Sequence, residues 1–297
     1  MLYNNLSAYL KARYGGGVGK ICIDGGFTCP NRDGKCGTGG CIFCSERGSG
    51  DHIEIGRSIE EQVKDTLAKG RYSKYIAYFQ NYTNTYADIA TLKERYDAAL
   101  IDERIAVLAI GTRPDCIDGG IAELIASYRD RVDVWVELGL QSADDVIGRI
   151  INRGYTTEDF IRAAEILKKH SIPFVVHMII GLPESCESDV YETAELINRV
   201  GAWGVKIHSI YVSRGTALEK MYLNNQYTPP TLDEFTSLAA GCLERLSPDV
   251  IIHRLTGDCP KGMLVAPEWN IDKNAILDRI RLTLRERGHR QGSLFAK

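Results

Sequence analysis

No stretch of this 297-residue chain approaches the roughly 20 consecutive apolar residues that a membrane-crossing helix needs. Its first residues, MLYNNLSAYLKARYGGG, lack a long apolar core and a small-residue cleavage site, so no secretory leader is expected and the cytoplasm is. Net charge is only −3, so no global positive field announces a nucleic-acid partner. No linker-like composition divides the chain. What remains suits a folded globular protein, long enough for one large barrel or two ordinary domains.

Nine cysteines are present, and in a cytoplasmic chain they argue against a disulfide framework. A cluster of them reads instead as metal binding or redox chemistry. Four fall in CPNRDGKCGTGGCIFC, from Cys29 to Cys44. Cys29, Cys41 and Cys44 give C-x11-C-x2-C, whereas Cys36, Cys41 and Cys44 give C-x4-C-x2-C. Three thiolates suit an iron–sulfur cluster with one iron left open. Four suit a closed zinc site or a fully ligated cluster. The glycine-rich spacer lets backbone wrap a bulky group closely. Cys22, inside a strand pattern, reads as a small buried hydrophobe; Cys259 is a loop thiol.

The loop directly follows the first strand pattern, KICIDGG, which places it at the C-terminal face of a sheet, where barrel enzymes carry their active sites. Further runs rich in Val, Ile and aromatics start at Lys74, Ile105, Val132, Pro173 and Trp203. Several are apolar on both faces, as strands of a buried parallel sheet are. Helical patterns fill the gaps. Ser58 with Glu61 forms a capping signature, Thr156 or Thr157 caps a second helix, and Gly201 closes a third. Six βα units predict an α/β fold, an open or partial (β/α)6 TIM-type barrel over residues 1–216 with an N-terminal lead-in. Residues 217–297 change rhythm and predict a small α/β extension packed on the barrel, with a strand in DVIIHRLTGD and a closing helix.

The sequences DGGFTCPNRDG, GGCIFC, YFQNYTNTYA, VELGLQS, INRGYT and IIGLPES together resemble the YhcC-like/YtqA family of radical S-adenosylmethionine (SAM) enzymes, relatives of the Elongator catalytic subunit. The resemblance spans nearly the whole chain and rests on several separated motifs, although the spacing departs from the superfamily's usual C-x3-C-x2-C. It implies a radical SAM core. Cys29, Cys41 and Cys44 would bind three irons of a 4Fe–4S cluster, with Cys36 a bystander. The fourth iron would bind SAM, whose reductive cleavage yields a 5′-deoxyadenosyl radical. An electron donor of flavodoxin or ferredoxin type is implied as partner, and tRNA, modified at the wobble uridine, as substrate. A small-molecule or protein substrate, or a zinc knob without catalysis, are the competing readings.

For SAM the resemblance points to Gln141 at the ribose and to Arg153 in INRGYT at the carboxylate, two groups that match in hydrogen-bonding geometry. Phe43 and Gly181, with Pro183, would shape the adenine pocket. The glycine-rich amine-binding motif expected after the second strand is absent, and Gln80 with nearby carbonyls is the substitute. Glu137 lies deeper on the strand of Gln141 and either supports the ligand or pairs with a buried base. Thr112, Arg113, His208 and Tyr211 are further rim residues, and Asn31, Arg32 and Asp33 brace the loop or meet substrate. Arg279, Arg281, Arg285, Arg287 and Arg290 form a basic tail that reads as a solvated helix face or a phosphate contact.

Overall fold

The structure is a computed structural model that describes residues 2–48, 56–260 and 262–296. Its strands are β1 (Val18–Ile23), β2 (Lys74–Phe79), β3 (Ile105–Thr112), β4 (Asp133–Gln141), β5 (Phe174–Ile180), β6 (Gly204–Ser209), β7 (Val212–Ser213), β8 (Ile251–Arg254) and β9 (Leu264–Ala266). The helices are α1 (Leu6–Tyr14), α2 (Ile59–Ala68), α3 (Ile89–Ala99), α4 (Gly119–Ser127), α5 (Asp145–Ile150), α6 (Thr157–Lys169), α7 (Glu187–Arg199), α8 (Ala217–Leu223), α9 (Leu232–Arg245) and α10 (Lys273–Glu286).

Seven strands pair in the order β1-β2-β3-β4-β5-β6-β8, and every pairing is parallel. Because each strand lies beside its predecessor, the connecting helices stay on one side and the sheet curls into a half-barrel. The six expected strands are present. The strand in DVIIHRLTGD is β8, and it extends the sheet as a seventh member instead of standing apart from it. A second, two-stranded sheet, β7 with β9, was not foreseen.

The outer face of the sheet meets the helices in one large core that includes Ile21, Phe79, Leu108, Leu138, Phe160, Phe174 and Phe235. The inner face differs: Ile76, Val107, Ala109, Trp135 and Val175 pack with Leu10 of α1, which plugs the lower end of the lumen. Above that plug the lumen is polar. A cleft of about 540 Å³ beneath the strand N-termini is lined by Tyr9, Tyr14, Asp133, Trp135 and Trp203 and contains no cysteine.

The helix boundaries follow local chemistry. Ser58 and Glu61 form a reciprocal capping box at α2, as do Thr156 and Asp159 at α6 and Thr231 and Glu234 at α9. Gly201 follows α7 with φ 69°, the left-handed conformation that ends a helix. Among the described residues, no helix is long and apolar enough to cross a membrane.

Candidate functional site

The cysteine loop leaves the C-terminal end of β1 and closes on itself by backbone hydrogen bonds. Arg32 N donates to Cys29 O at 2.8 Å, Cys36 N to Pro30 O at 2.8 Å and Gly40 N to Asn31 O at 2.9 Å. It is then tied across the barrel mouth to the segment after α5. The Asn31 amide donates to Asn152 O at 2.6 Å, and the Asn152 amide returns to Gly40 O at 2.7 Å. Asn31 Nδ2 also lies 4.0 Å from Cys41 Sγ. Its Oδ1 is buried without a partner, in a space that needs two glycines. A Cβ on Gly37 would collide with that oxygen, and one on Gly154 would come within 3.0 Å of it.

Cys29, Cys41 and Cys44 are all half-buried. The Cys41 thiol donates toward Cys44; this raises the Cys41 pKa and lowers that of Cys44, which Arg32 lowers further against the effect of burial. The Arg32 guanidinium donates to Cys44 O at 3.3 Å and to Ser45 O. Cys36, by contrast, is exposed and its sulfur lies 3.8 Å from Asp115 Oδ2. Among the described residues, no three His, Cys, Asp or Glu side chains converge on a point that one metal ion could occupy. A cubane cluster makes no such demand, because each thiolate meets a different iron.

Beside the loop, Thr83 N donates to Thr28 O at 3.2 Å, which brings the segment after β2 against Cys29. There Asn81 Oδ1 and Thr83 Oγ1 are buried without partners. Two unpaired oxygens beside a three-thiol loop fit a ligand ammonium, the role that the sequence assigned to Gln80. Gln80 itself is half-buried at the end of β2, its N–H on Ile23 O at 3.3 Å.

Gln141 has φ 62° and lies at the mouth; Tyr155 donates to its Oε1 at 2.7 Å and to Gly139 O at 3.1 Å. Phe43 is half-buried on a small apolar cluster with Ile147, Ile151, Leu182 and Ile210. Gly181 has φ 91°, and a Cβ there would sit 2.7 Å from the Pro230 ring, so this turn is pressed against the C-terminal extension.

Arg153, the residue expected at the SAM carboxylate, is engaged within the chain. It is fully buried, and its five N–H groups are spent within the chain. Nε donates to Tyr155 O at 3.0 Å, Nη1 to Leu140 O at 2.6 Å and Ser142 O at 2.7 Å, and Nη2 to Asp145 Oδ1 at 2.7 Å and Thr157 Oγ1 at 3.4 Å. It pins the end of β4 to the start of α6 and positions Tyr155. Arg113 is likewise engaged, by Asp115 and by Arg153 O at 2.9 Å. Thr112 is paired with Thr85 at 2.6 Å.

Glu137 is the buried acid paired with a base. It accepts from Trp135 Nε1 at 3.2 Å and His177 Nε2 at 2.8 Å, and it forms a short ion pair with Lys206, whose ammonium also lies 3.2 Å from Tyr78 OH. Burial alone would raise the Glu137 pKa, but Lys206 and His177 outweigh it and hold the carboxyl well below its usual range. Lys206 and His177 were missed in the sequence reading. The available signal was a charged or imidazole side chain at an inward position of an otherwise apolar strand.

The basic tail divides. Arg279 is held by Asp233, and Arg287 by Glu244 and Ser237. Arg281, with Asp278 at 2.8 Å, lines a groove of about 650 Å³ together with Arg285, Arg290, His289 and Tyr3.

A model of the radical SAM superfamily matches residues 32–197, and a model of the Radical_SAM C-terminal domain matches residues 202–286. The uncharacterized protein YtqA of Bacillus subtilis is 34% identical over 99% of this chain and 93% of its own length. Protein YhcC of Escherichia coli is 34% identical over 90% of this chain and 87% of its own. A tRNA uridine(34) acetyltransferase of Dehalococcoides mccartyi is 29% identical over 63% of this chain and 43% of its own. Among solved structures, the Elp3 of Methanocaldococcus infernus with an N-terminal deletion superposes with TM-score 0.69 and 19% identity, covering 92% of this chain and 64% of that one.

Proposed function

The chain belongs to the radical SAM superfamily, and on that premise we propose that its cysteine loop holds a 4Fe–4S cluster and SAM at the barrel mouth to modify the wobble uridine of tRNA. The carrying observation is the loop itself. Three half-buried thiols gather at the C-terminal end of β1 with Asn31 and Arg32 around them, while Cys36 turns out to Asp115. When bound, cluster and SAM supply a 5′-deoxyadenosyl radical for hydrogen-atom abstraction; the protein's part is binding, orientation and exclusion of water.

In this reading Cys29, Cys41 and Cys44 ligate the cluster. The unpaired oxygens of Asn81 and Thr83, with Gln80, receive the SAM ammonium. Gln141, held by Tyr155, meets the ribose, and Phe43 and the turn at Gly181 border the adenine. Arg153 supports this set from behind. An external one-electron donor of flavodoxin or ferredoxin type completes the system.

The tRNA substrate is supported by the similarity to the tRNA uridine(34) acetyltransferase and by the groove of Arg281, Arg285 and Arg290. The test compares modified nucleosides in tRNA from cells with and without the gene. A change confined to one wobble-uridine derivative is expected; an unchanged nucleoside profile would overturn the tRNA assignment. In binding assays, Arg285→Gln with Arg290→Gln should lower the slope of log affinity against log salt by about two, roughly one for each phosphate no longer neutralised. An unchanged slope would remove the groove from the account.

A further inference from the structure

Below the rim, the lumen carries a cluster that neither the cysteine loop nor the groove accounts for. Every strand facing it except β3, which offers Val107 and Ala109, contributes a polar group. From β1 come Lys20 and Cys22, from β2 Tyr78, from β4 Glu137, from β5 His177, from β6 Lys206 and His208, and from β8 His253 and Arg254. The charges do not balance. Lys206 is neutralised by Glu137. Lys20 makes no close ion pair among the described residues, acting on Glu137 only from a distance; its ammonium stands 5.0 Å over the Tyr78 ring, which also has the Lys206 ammonium at 4.5 Å. Among the described residues Arg254 pairs with Asp258 alone, at 3.6 Å, and that carboxylate is held more closely by Lys273, at 2.6 Å.

A ring nitrogen is left over as well. His208 Nε2 is buried without a partner, and its ring lies 5.1 Å from that of His177. The His177 side chain is 23% exposed, so the cluster is open to an incoming group and not sealed in the core. Gly139, in register with His177, carries the strand from this layer up to Gln141 at the rim. An unpaired imidazole nitrogen able to donate, beside positive charge at a solvent-reached spot, is stabilised by an anion.

We propose that the lumen layer formed by Lys20, His177, Lys206 and His208 binds an anionic group of the substrate, a carboxylate or phosphate oxyanion, with Glu137 and Tyr78 as positioning residues. This deepens the proposed function, since it rests on the barrel mouth being the reaction site. An anion seated there would anchor the substrate one strand layer beneath the rim.

The test uses the anaerobically reconstituted full-length chain, labelled with ¹⁵N in histidine, titrated separately with acetate and with phosphate at constant ionic strength. At least one anion should shift the His177 and His208 imidazole signals saturably and raise the pKa of His208. Acetate binding alone would point to a carboxylate, and phosphate binding to a phosphoester. Lys20→Met, at an exposed position where folding is safe, should weaken the titration about tenfold, the loss expected for one charged contact. Lys206→Met should abolish it if the variant folds. No saturable shift with either anion, or wild-type affinity in Lys20→Met, would overturn the proposal. So would displacement of the anion by SAM, because the positive charge would then belong to the cofactor's own carboxylate. The titration reads the lumen alone. A failure of the radical reading would show instead as absence of 5′-deoxyadenosine.

Discussion

A guanidinium has five N–H groups, and Arg153 spends all of them on three carbonyls, Asp145 and Thr157. Removing it would strand buried acceptors and the end of β4. Arg153→Met should therefore cost about 3 kcal/mol of stability, as the loss of one partner of a buried charged network does. Urea unfolding measures this; a change confined to SAM affinity, with stability intact, would restore the clamp. The residue type was legible in INRGYT but its role was not, because one arginine suits a ligand carboxylate and a ring of carbonyls equally well. Glu137 was legible as an inward residue by strand alternation. Its partners were not, since Lys206 lies 69 residues away and only the curl of the sheet joins them. The cysteine cluster itself was legible because its spacing is local, while spacing alone left open whether Cys29 or Cys36 joins Cys41 and Cys44.

The elements that could be read were those whose signals are local too. The apolar strands, the capping pairs Ser58–Glu61 and Thr156–Asp159 and the stop at Gly201 all depend on neighbours within a few residues. Strands β7 and β9, two and three residues long, carry no period to detect, and they pair across about 50 residues of chain. Gly181 marks where the turn after β5 meets the extension: its carbonyl accepts from Tyr227 OH at 2.5 Å, and Pro230 and Ile210 occupy the space of a Cβ. Gly181→Ala is expected to lower stability by about 2 kcal/mol or more, combining left-handed strain with overpacking. Thermal or urea unfolding checks it; a neutral result would mean that the extension moves freely away from the barrel.

At the scale of the whole molecule, the lumen makes stability depend on pH. His253 sits edge-on to Trp135 and Trp203 with both ring nitrogens unpartnered, and burial pushes its pKa down to about 3. Burial also lowers His177 and His208. Between about pH 6.5 and 3 the unfolded chain therefore binds more protons than the folded one, so stability falls as pH falls. Asp133, held below its usual range by Arg13, adds the same sign at lower pH. His253→Leu should flatten the curve of unfolding free energy against pH by about 1.4 kcal/mol per unit, the value of one proton; an unaltered curve would contradict it. In the proposed reading the loop above the lumen holds three sulfurs so that one iron stays open. The most direct test is anaerobic reconstitution of the wild type, Cys36→Ser and Cys29→Ser, followed by iron counting and assay of 5′-deoxyadenosine released from SAM under reduction. The wild type and Cys36→Ser should each hold about four irons, the content of one such cluster, and release the nucleoside, while Cys29→Ser should not. Nucleoside formation by Cys29→Ser, or its loss in Cys36→Ser, would contradict the account.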